Sequence, residues 1–242
     1  MKGQLIIILV VIFLFPACKK PACFENAGPI VTIERQTISF HRINLFDDVN
    51  LILTQDTIES INVKAPKFIE PNVSIQNENG VLTIRNNTTC KWLRNPSEKI
   101  EVFIHVKELD YLEYSGSGNV TSTNTLKANN INFYSATGAG NVAISLEAKQ
   151  VTAWLEYESA DFIFSGKADV CYCYANSRGT LQFEDFEVKR LVIRYASNRN
   201  TTVVATESLD AILYHTGNVY YKGNPTDITS TFYSSGRLLP KP

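Results

Sequence analysis

From residue 115 onward a short motif rich in glycine and asparagine returns at nearly constant intervals: "SGSGNV", "TGAGNV", "ESADFI", "SRGTLQ", "NRNTTV", "HTGNVY" and "SSGRLL". Aligned on Asn119, Asn141, Asp161, Thr180, Asn200, Asn218 and Arg237, the copies stand 18 to 22 residues apart. A period near 20 is too short for a four-stranded propeller blade and fits one coil of a β-solenoid, with turn beneath turn and strand beneath strand. Gly, Asn and Asp tolerate left-handed backbone angles, so they are expected wherever each coil turns its corner. A phosphate-binding glycine loop is excluded, because no Lys-Ser/Thr pair and no helical pattern follows these glycines.

The segments before the corners, "INFYSA", "VTAWLEY", "VCYCYA", "LVIRYA" and "LDAILY", alternate with a period of two. One parity, with Ile131 and Phe133, Val151, Ala153 and Leu155, Val170 and Tyr172, Leu191 and Ile193, and Leu209, Ala211 and Leu213, is expected to point inward. Stacked in columns, each large aliphatic so buried contributes about 1.5–3 kcal/mol. The other parity carries Tyr134, Trp154, Cys173, Arg194 and Ile212, flanked by Asn132, Thr152, Cys171, Val192 and Asp210, with Tyr214 one step further along. Two readings of this ridge stay open. Exposed, its aromatics (Tyr134, Trp154, Tyr214) and Arg194 form a candidate ligand surface for a glycan or a protein. A row holding Trp, Ile, Val and two Cys is apolar for a free surface, which favours burial beneath the amino-terminal strands.

Residues 30 to 112 also read as strands, and Asn79-Gly80 between "VSIQNE" and "VLTIRN" signals a hairpin. "LFDDVNL" at 45 to 51 has the look of one more corner. The expected fold is therefore all-β: a parallel β-helix or β-solenoid over 113–242, preceded by an antiparallel β portion over 30–112. That portion would pack on the solenoid or continue it, capping its first coil.

The amino terminus sets the address. One lysine, eleven apolar residues from Leu5 to Phe15, then small residues describe a secretory signal over 1–17, too short to span a membrane. "FPAC" resembles a lipoprotein cleavage box, although Phe15 and Pro16 depart from its common pattern, and it makes Cys18 the expected lipidated first residue of a tether over 18–29. The partner at the membrane would then be the bilayer itself, reached through acyl chains. A formal net charge of −1 offers no basic excess for phosphate backbones, which argues against nucleic acid. Of the remaining cysteines, Cys23 and Cys90 are a possible disulfide in an oxidising compartment. Cys171 and Cys173, two apart on a strand, share a face and are poorly placed to bond each other. A zinc site would need a second ligand pair, so neither metal nor cofactor is expected.

The repeated "GSGNV"-like turns, "TTCKW" leading into "KIEVFIHVKELDYLEYSGSGNV", and the ending "LDAILYHTGNVYYKGNPTDITSTFYSSGRLL" resemble the head-GIN-domain family, autotransporter adhesin-like proteins common as lipoproteins of Bacteroidetes-type bacteria. The resemblance implies a β-solenoid at the cell envelope, on the outer membrane or cell surface, and assigns no catalytic or binding residue. Because β-helices also carry polysaccharide-cleaving enzymes, the carboxylates Glu156, Glu158 and Asp161 on one coil and Glu184, Asp185 and Glu187 on the next are the catalytic candidates, with Glu156 and Glu158 sharing a strand face as a pair would. His41, His105 and His215 are scattered, with no nucleophile spacing between them. The expectation is a non-catalytic envelope module that binds a glycan or an envelope protein. A carbohydrate-active enzyme and an envelope scaffold are the alternatives.

Overall fold

The computed structural model describes residues 27–36, 38–89, 91, 99–157, 159–176 and 178–241; apart from a 3-10 turn at Glu70–Asn72, every regular element among them is a β-strand. The amino-terminal strands are β1 (Ile30–Arg35), β2 (Arg42–Asp47), β3 (Val49–Gln55), β4 (Ser60–Pro66), β5 (Val73–Glu78), β6 (Val81–Asn86) and β7 (Ile100–Val106). The repeat supplies β8 (Tyr111–Gly116), β9 (Val120–Ser122), β10 (Leu126–Ser135), β11 (Asn141–Glu156), β12 (Asp161–Asn176), β13 (Leu181–Tyr195), β14 (Thr201–Leu213), β15 (Val219–Lys222), β16 (Asp227–Phe232) and β17 (Leu238–Pro240). From β8 to β17 all pairing is parallel, coil on coil, as the solenoid expectation requires.

Each long strand bends once and so serves two sheets. Inward residues advance by two along a strand, but from Ala148 to Val151, Ala168 to Cys171 and Val188 to Leu191 they advance by three. An odd step reverses parity, so inward residues stay inward only because the chain turns there. We call the strands after the glycine corner sheet A and those before it sheet B. The shaft between them is filled by columns such as Leu112, Phe133, Ala153, Cys173, Ile193 and Ala211, in register through six coils. Phe133, Phe164, Phe183 and Phe186 form a ring cluster inside it, with centroids 4.7 to 5.8 Å apart.

The β2–β3 coil does not stack in sequence order. It lies between β6–β7 and β8–β9, parallel to all four strands, so "LFDDVNL" is indeed a corner, threaded into the stack. Beyond it the amino end closes with antiparallel strands: β4 on β7, β1 on β4, and β5 on β6 through a hairpin whose Asn79 and Gly80 both have left-handed φ of 52° and 78°. The opposite end is bare. Ile228 and Phe232 occupy inward positions opposite Leu209 and Leu213, yet remain 41% and 39% exposed because no described coil lies beyond them.

Corners are joined by a ladder of side chains. The Oδ1 of Asn50 accepts the backbone N–H of Asn119 at 2.8 Å, and that of Asn119 accepts the N–H of Asn141 at 3.1 Å. Asp161 accepts both the N–H and the hydroxyl of Thr180 at 2.7 Å, Asn200 accepts from Asn218 at 2.9 Å, and Asn218 from Arg237 at 2.9 Å. The glycines in these corners act differently from the expectation. Gly118, Gly140, Gly179, Gly217 and Gly236 have no left-handed φ; instead a Cβ on any of them would overlap a carbonyl oxygen of the corner beneath. Close stacking therefore selects glycine here, and conformational freedom does not. The "YASNRNTT" corner forms without glycine: the buried Tyr195 hydroxyl donates to the Arg199 carbonyl at 2.7 Å, as Tyr114 does to Gly118 at 2.6 Å.

Gly140→Ala is expected to lower unfolding stability by about 1–3 kcal/mol, because its Cβ would meet both the Gly118 carbonyl and the Tyr114 hydroxyl. Urea titration against Thr137→Ala, at an exposed position in the same turn, measures it.

Candidate functional site

Sheet B presents its outer face to solvent. Register places Glu113, Tyr134, Trp154, Tyr174, Arg194 and Ile212 in one row, and Tyr111, Asn132, Thr152, Tyr172, Val192 and Asp210 in the next. Trp154 and Tyr172 are each 45% exposed and Tyr214 40%. The amino-terminal strands do not cover this face: β2 pairs onto β8 and β6 onto β2, lengthening the same sheet. The expectation of burial is corrected, and so is the parity of one coil. Cys171 and Cys173 point into the shaft, opposite Val151 and Ala153, while Tyr172 and Tyr174 point out. "VCYCY" is apolar on both parities, so alternation alone could not choose. The same coil already sends Phe162 and Phe164 into the shaft, and small residues fill what width remains. Burial pushes the Cys171 thiol up to about 12.

The aromatics stand on edge. Trp154 and Tyr174 stack with centroids 4.6 Å apart and planes 24° apart, close to the spacing of adjacent strands, so their rings lie across the solenoid axis. Tyr214 and Tyr233 repeat the arrangement at 5.3 Å and 3°. Their flat faces meet one another, and what solvent meets is ring edges and polar tips. Arg194 is tied to Asp210 at 2.9 Å, and Arg42 lies over the Tyr111 ring at 4.5 Å. Burial holds the Tyr111 hydroxyl above its usual range, helped by Glu113. The face is thus amphipathic, well ordered by cross-strand contacts, and rich in the residue types that dominate binding hot spots. The structure places the sequence candidates Tyr134, Trp154, Arg194 and Tyr214 on this outer face and adds Tyr172 and Tyr174, for which the second parity of "VCYCY" was the signal.

The described carboxylates considered for catalysis sit in separate surroundings, with Glu184 and Asp185 adjacent. Asp161 is engaged in the corner ladder. Glu184 is held by Lys222 at 2.6 Å and Lys241 at 3.0 Å, which keep its carboxyl below the usual range. It sits on a bulge of β13, where four residues face the single Val203 of β14, so that Phe183 and Phe186 turn inward and Glu184 and Asp185 outward beside a recess of about 570 Å³. Glu187 belongs to the second bend, Glu156 to the edge of sheet B, and Glu158 lies outside the described residues, as do Cys18, Cys23 and Cys90. His105 pairs with Asp56 at 3.0 Å, and that hydrogen bond lowers the Asp56 carboxyl.

At the second bend, charges alternate up the stack in the order Lys127, Glu147, Lys167, Glu187. Glu147 lies 3.1 Å from Lys167 and 3.8 Å from Lys127, and Asp169 lies 2.8 Å from Lys189. They line a groove of about 670 Å³, but both signs are present in alternation and neutralise one another. This is a register device, since a one-coil slip would set like charge on like.

Fold and surface together define a β-solenoid with an open aromatic face along one sheet. The chain belongs to the family described as "Putative auto-transporter adhesin, head GIN domain", which matches residues 39–225. The fold is shared with a "putative adhesin" from Bacteroides fragilis NCTC 9343 (21% identity, 88% of this chain, 97% of that chain, TM-score 0.80). It is also shared with two proteins of Parabacteroides distasonis ATCC 8503. One is a "putative adhesin" (19% identity, 88% and 98%, TM-score 0.67), the other a "putative lipid binding protein" (18%, 89% and 98%, TM-score 0.66). No curated protein matches the sequence. Among the described residues no helix is long and apolar enough to cross a membrane.

The charged bend sets an acid dependence. Lys167 and Lys127 hold the Glu147 carboxyl below its usual value, and Lys189 does the same for Asp169. A depressed carboxyl stabilises the fold above its unfolded pKa, and that contribution is lost as pH falls through the folded one. Melting temperature is therefore expected to drop on acidification below the ordinary carboxylate range, and to drop less steeply in Glu147→Gln/Asp169→Asn. Thermal melts against pH at low and high salt measure both the slope and its screening.

Proposed function

We propose that the protein is a non-catalytic binding or adhesion module of the bacterial cell envelope, held to the membrane through lipid on Cys18, that engages a glycan or protein ligand with the outer face of sheet B. The observation carrying this reading is the open row of Tyr134, Trp154 and Tyr174 beside Tyr172 and Arg194. Tyr and Trp give large contact area at little entropic cost, and their hydroxyl and indole N–H groups supply directed hydrogen bonds. Membership of an adhesin-type family supports the same role and location.

A screen of wild-type protein against a glycan array, surface proteins and lipid vesicles, repeated with Trp154→Ala and Tyr172→Ala, tests the reading. Trp154 and Tyr172 are surface side chains, so both variants are expected to fold and to lose at least tenfold in affinity for the ligand found. Unchanged binding would remove this face from the site. In cells, Cys18→Ser is expected to move the protein from the membrane to the soluble fraction.

A further inference from the structure

A second surface lies at the glycine corners, round the edge from the aromatic face. The turns of four successive coils there enclose a recess of about 400 Å³, the small end of the range for ligand pockets. Arg178, Arg199 and His215 reach it from three of these turns, with Asn176 and Asn198, and Tyr157 from the fourth. No carboxylate occurs among the described lining residues, and none of the three basic side chains has an ion pair or hydrogen-bond partner among them. Five other described arginines are engaged, Arg35 with Glu70, Arg194 with Asp210, Arg42 over Tyr111, Arg85 over Phe46 and Arg237 over Phe232, while Arg190 stands exposed at the second bend. In a chain of net charge −1, two unpaired guanidiniums and an imidazole gathered in one recess are out of pattern.

We propose that this recess binds an acidic sugar, a ring bearing a carboxylate or sulfate group, as a subsite separate from the aromatic face. Guanidinium forks match the geometry of such oxyanions in bidentate fashion. The remaining lining suits the rest of a sugar. Tyr157 is 77% exposed beside the recess, at a left-handed φ of 50° with its N–H donating to the Asn176 carbonyl at 2.7 Å. The Asn198 Oδ1 accepts from Thr216 at 3.0 Å, leaving its amide N–H groups to donate to hydroxyls. The site rests on the reading of the chain as a binding module, yet it makes its own prediction about ligand charge.

Isothermal titration of the folded domain with oligogalacturonate, its methyl ester, chondroitin sulfate and inorganic sulfate tests the proposal. Binding of at least one acidic glycan is expected, weakened by added salt, with the ester and free sulfate at least tenfold weaker. Arg178→Ala and Arg199→Ala should each lose at least tenfold, whereas Arg190→Ala, which removes the same charge from the far bend, should change affinity less than twofold. Equal affinity for free sulfate would reduce the recess to a bare anion site, and equal loss in Arg190→Ala would reduce it to general electrostatics; either overturns the proposal. So would no acidic glycan binding, or loss in Trp154→Ala with Arg178→Ala unaffected, which would return the ligand to the aromatic face. Loss in the arginine variants with Trp154→Ala unaffected supports the recess, whatever becomes of the face.

Discussion

The structure depends on how closely one corner can lie on the next. Each Asn or Asp of the ladder accepts a backbone N–H from the coil stacked on it, and each corner glycine leaves room for a carbonyl where a Cβ would collide. Where they occur, these two contacts fix the level and the lateral register of a coil at its sharpest point; between the Asn141 and Asp161 corners the Asp161 N–H bonds to the Gly140 carbonyl instead. The strands that leave the corner then pair in the register it sets, with shifts between β12 and β13 and between β13 and β14. Asn50 extends the same ladder to the β2–β3 coil, which explains how a segment distant in sequence slots into the stack at the correct level.

Once register is fixed, sequence along the chain becomes pattern across the surface. A residue repeated every coil becomes a row, and rows of like charge would repel. At the second bend the chain alternates sign, Lys127, Glu147, Lys167 and Glu187 in turn. On sheet B it stacks rings instead, Trp154 on Tyr174 and Tyr214 on Tyr233. The first pattern neutralises itself and serves the fold. The second leaves ring edges and hydroxyls in water, which the fold alone does not require. The turn recess follows neither pattern, since Arg178 and Arg199 gather positive charge there without alternation.

The corner spacing was legible because Gly and Asn recur at one place in each coil, although their physical role there was misread from general preferences. Inward columns were legible wherever one parity was clearly more apolar, as in "LVIRYA" and "LDAILY". In "VCYCYA" both parities were apolar, and only the volume taken by Phe162 and Phe164 decides between them. The placement of β2–β3 between β6–β7 and β8–β9 was not legible, since it is fixed by pairs far apart in the chain. The basic recess was hidden for another reason: Arg178, Arg199 and His215 stand at different offsets from the corner asparagine, so no repeat alignment brings them into one column.

Spin-label distances along the corners test the stacking most directly. Labels at Ser117 paired in turn with Asn198, Thr216 and Ser235 span four, five and six coils, so the distances should grow by about 4.8 Å per coil, from roughly 19 to roughly 29 Å. Distances that fail to lengthen coil by coil, or that shorten as hairpins would require, would contradict the account.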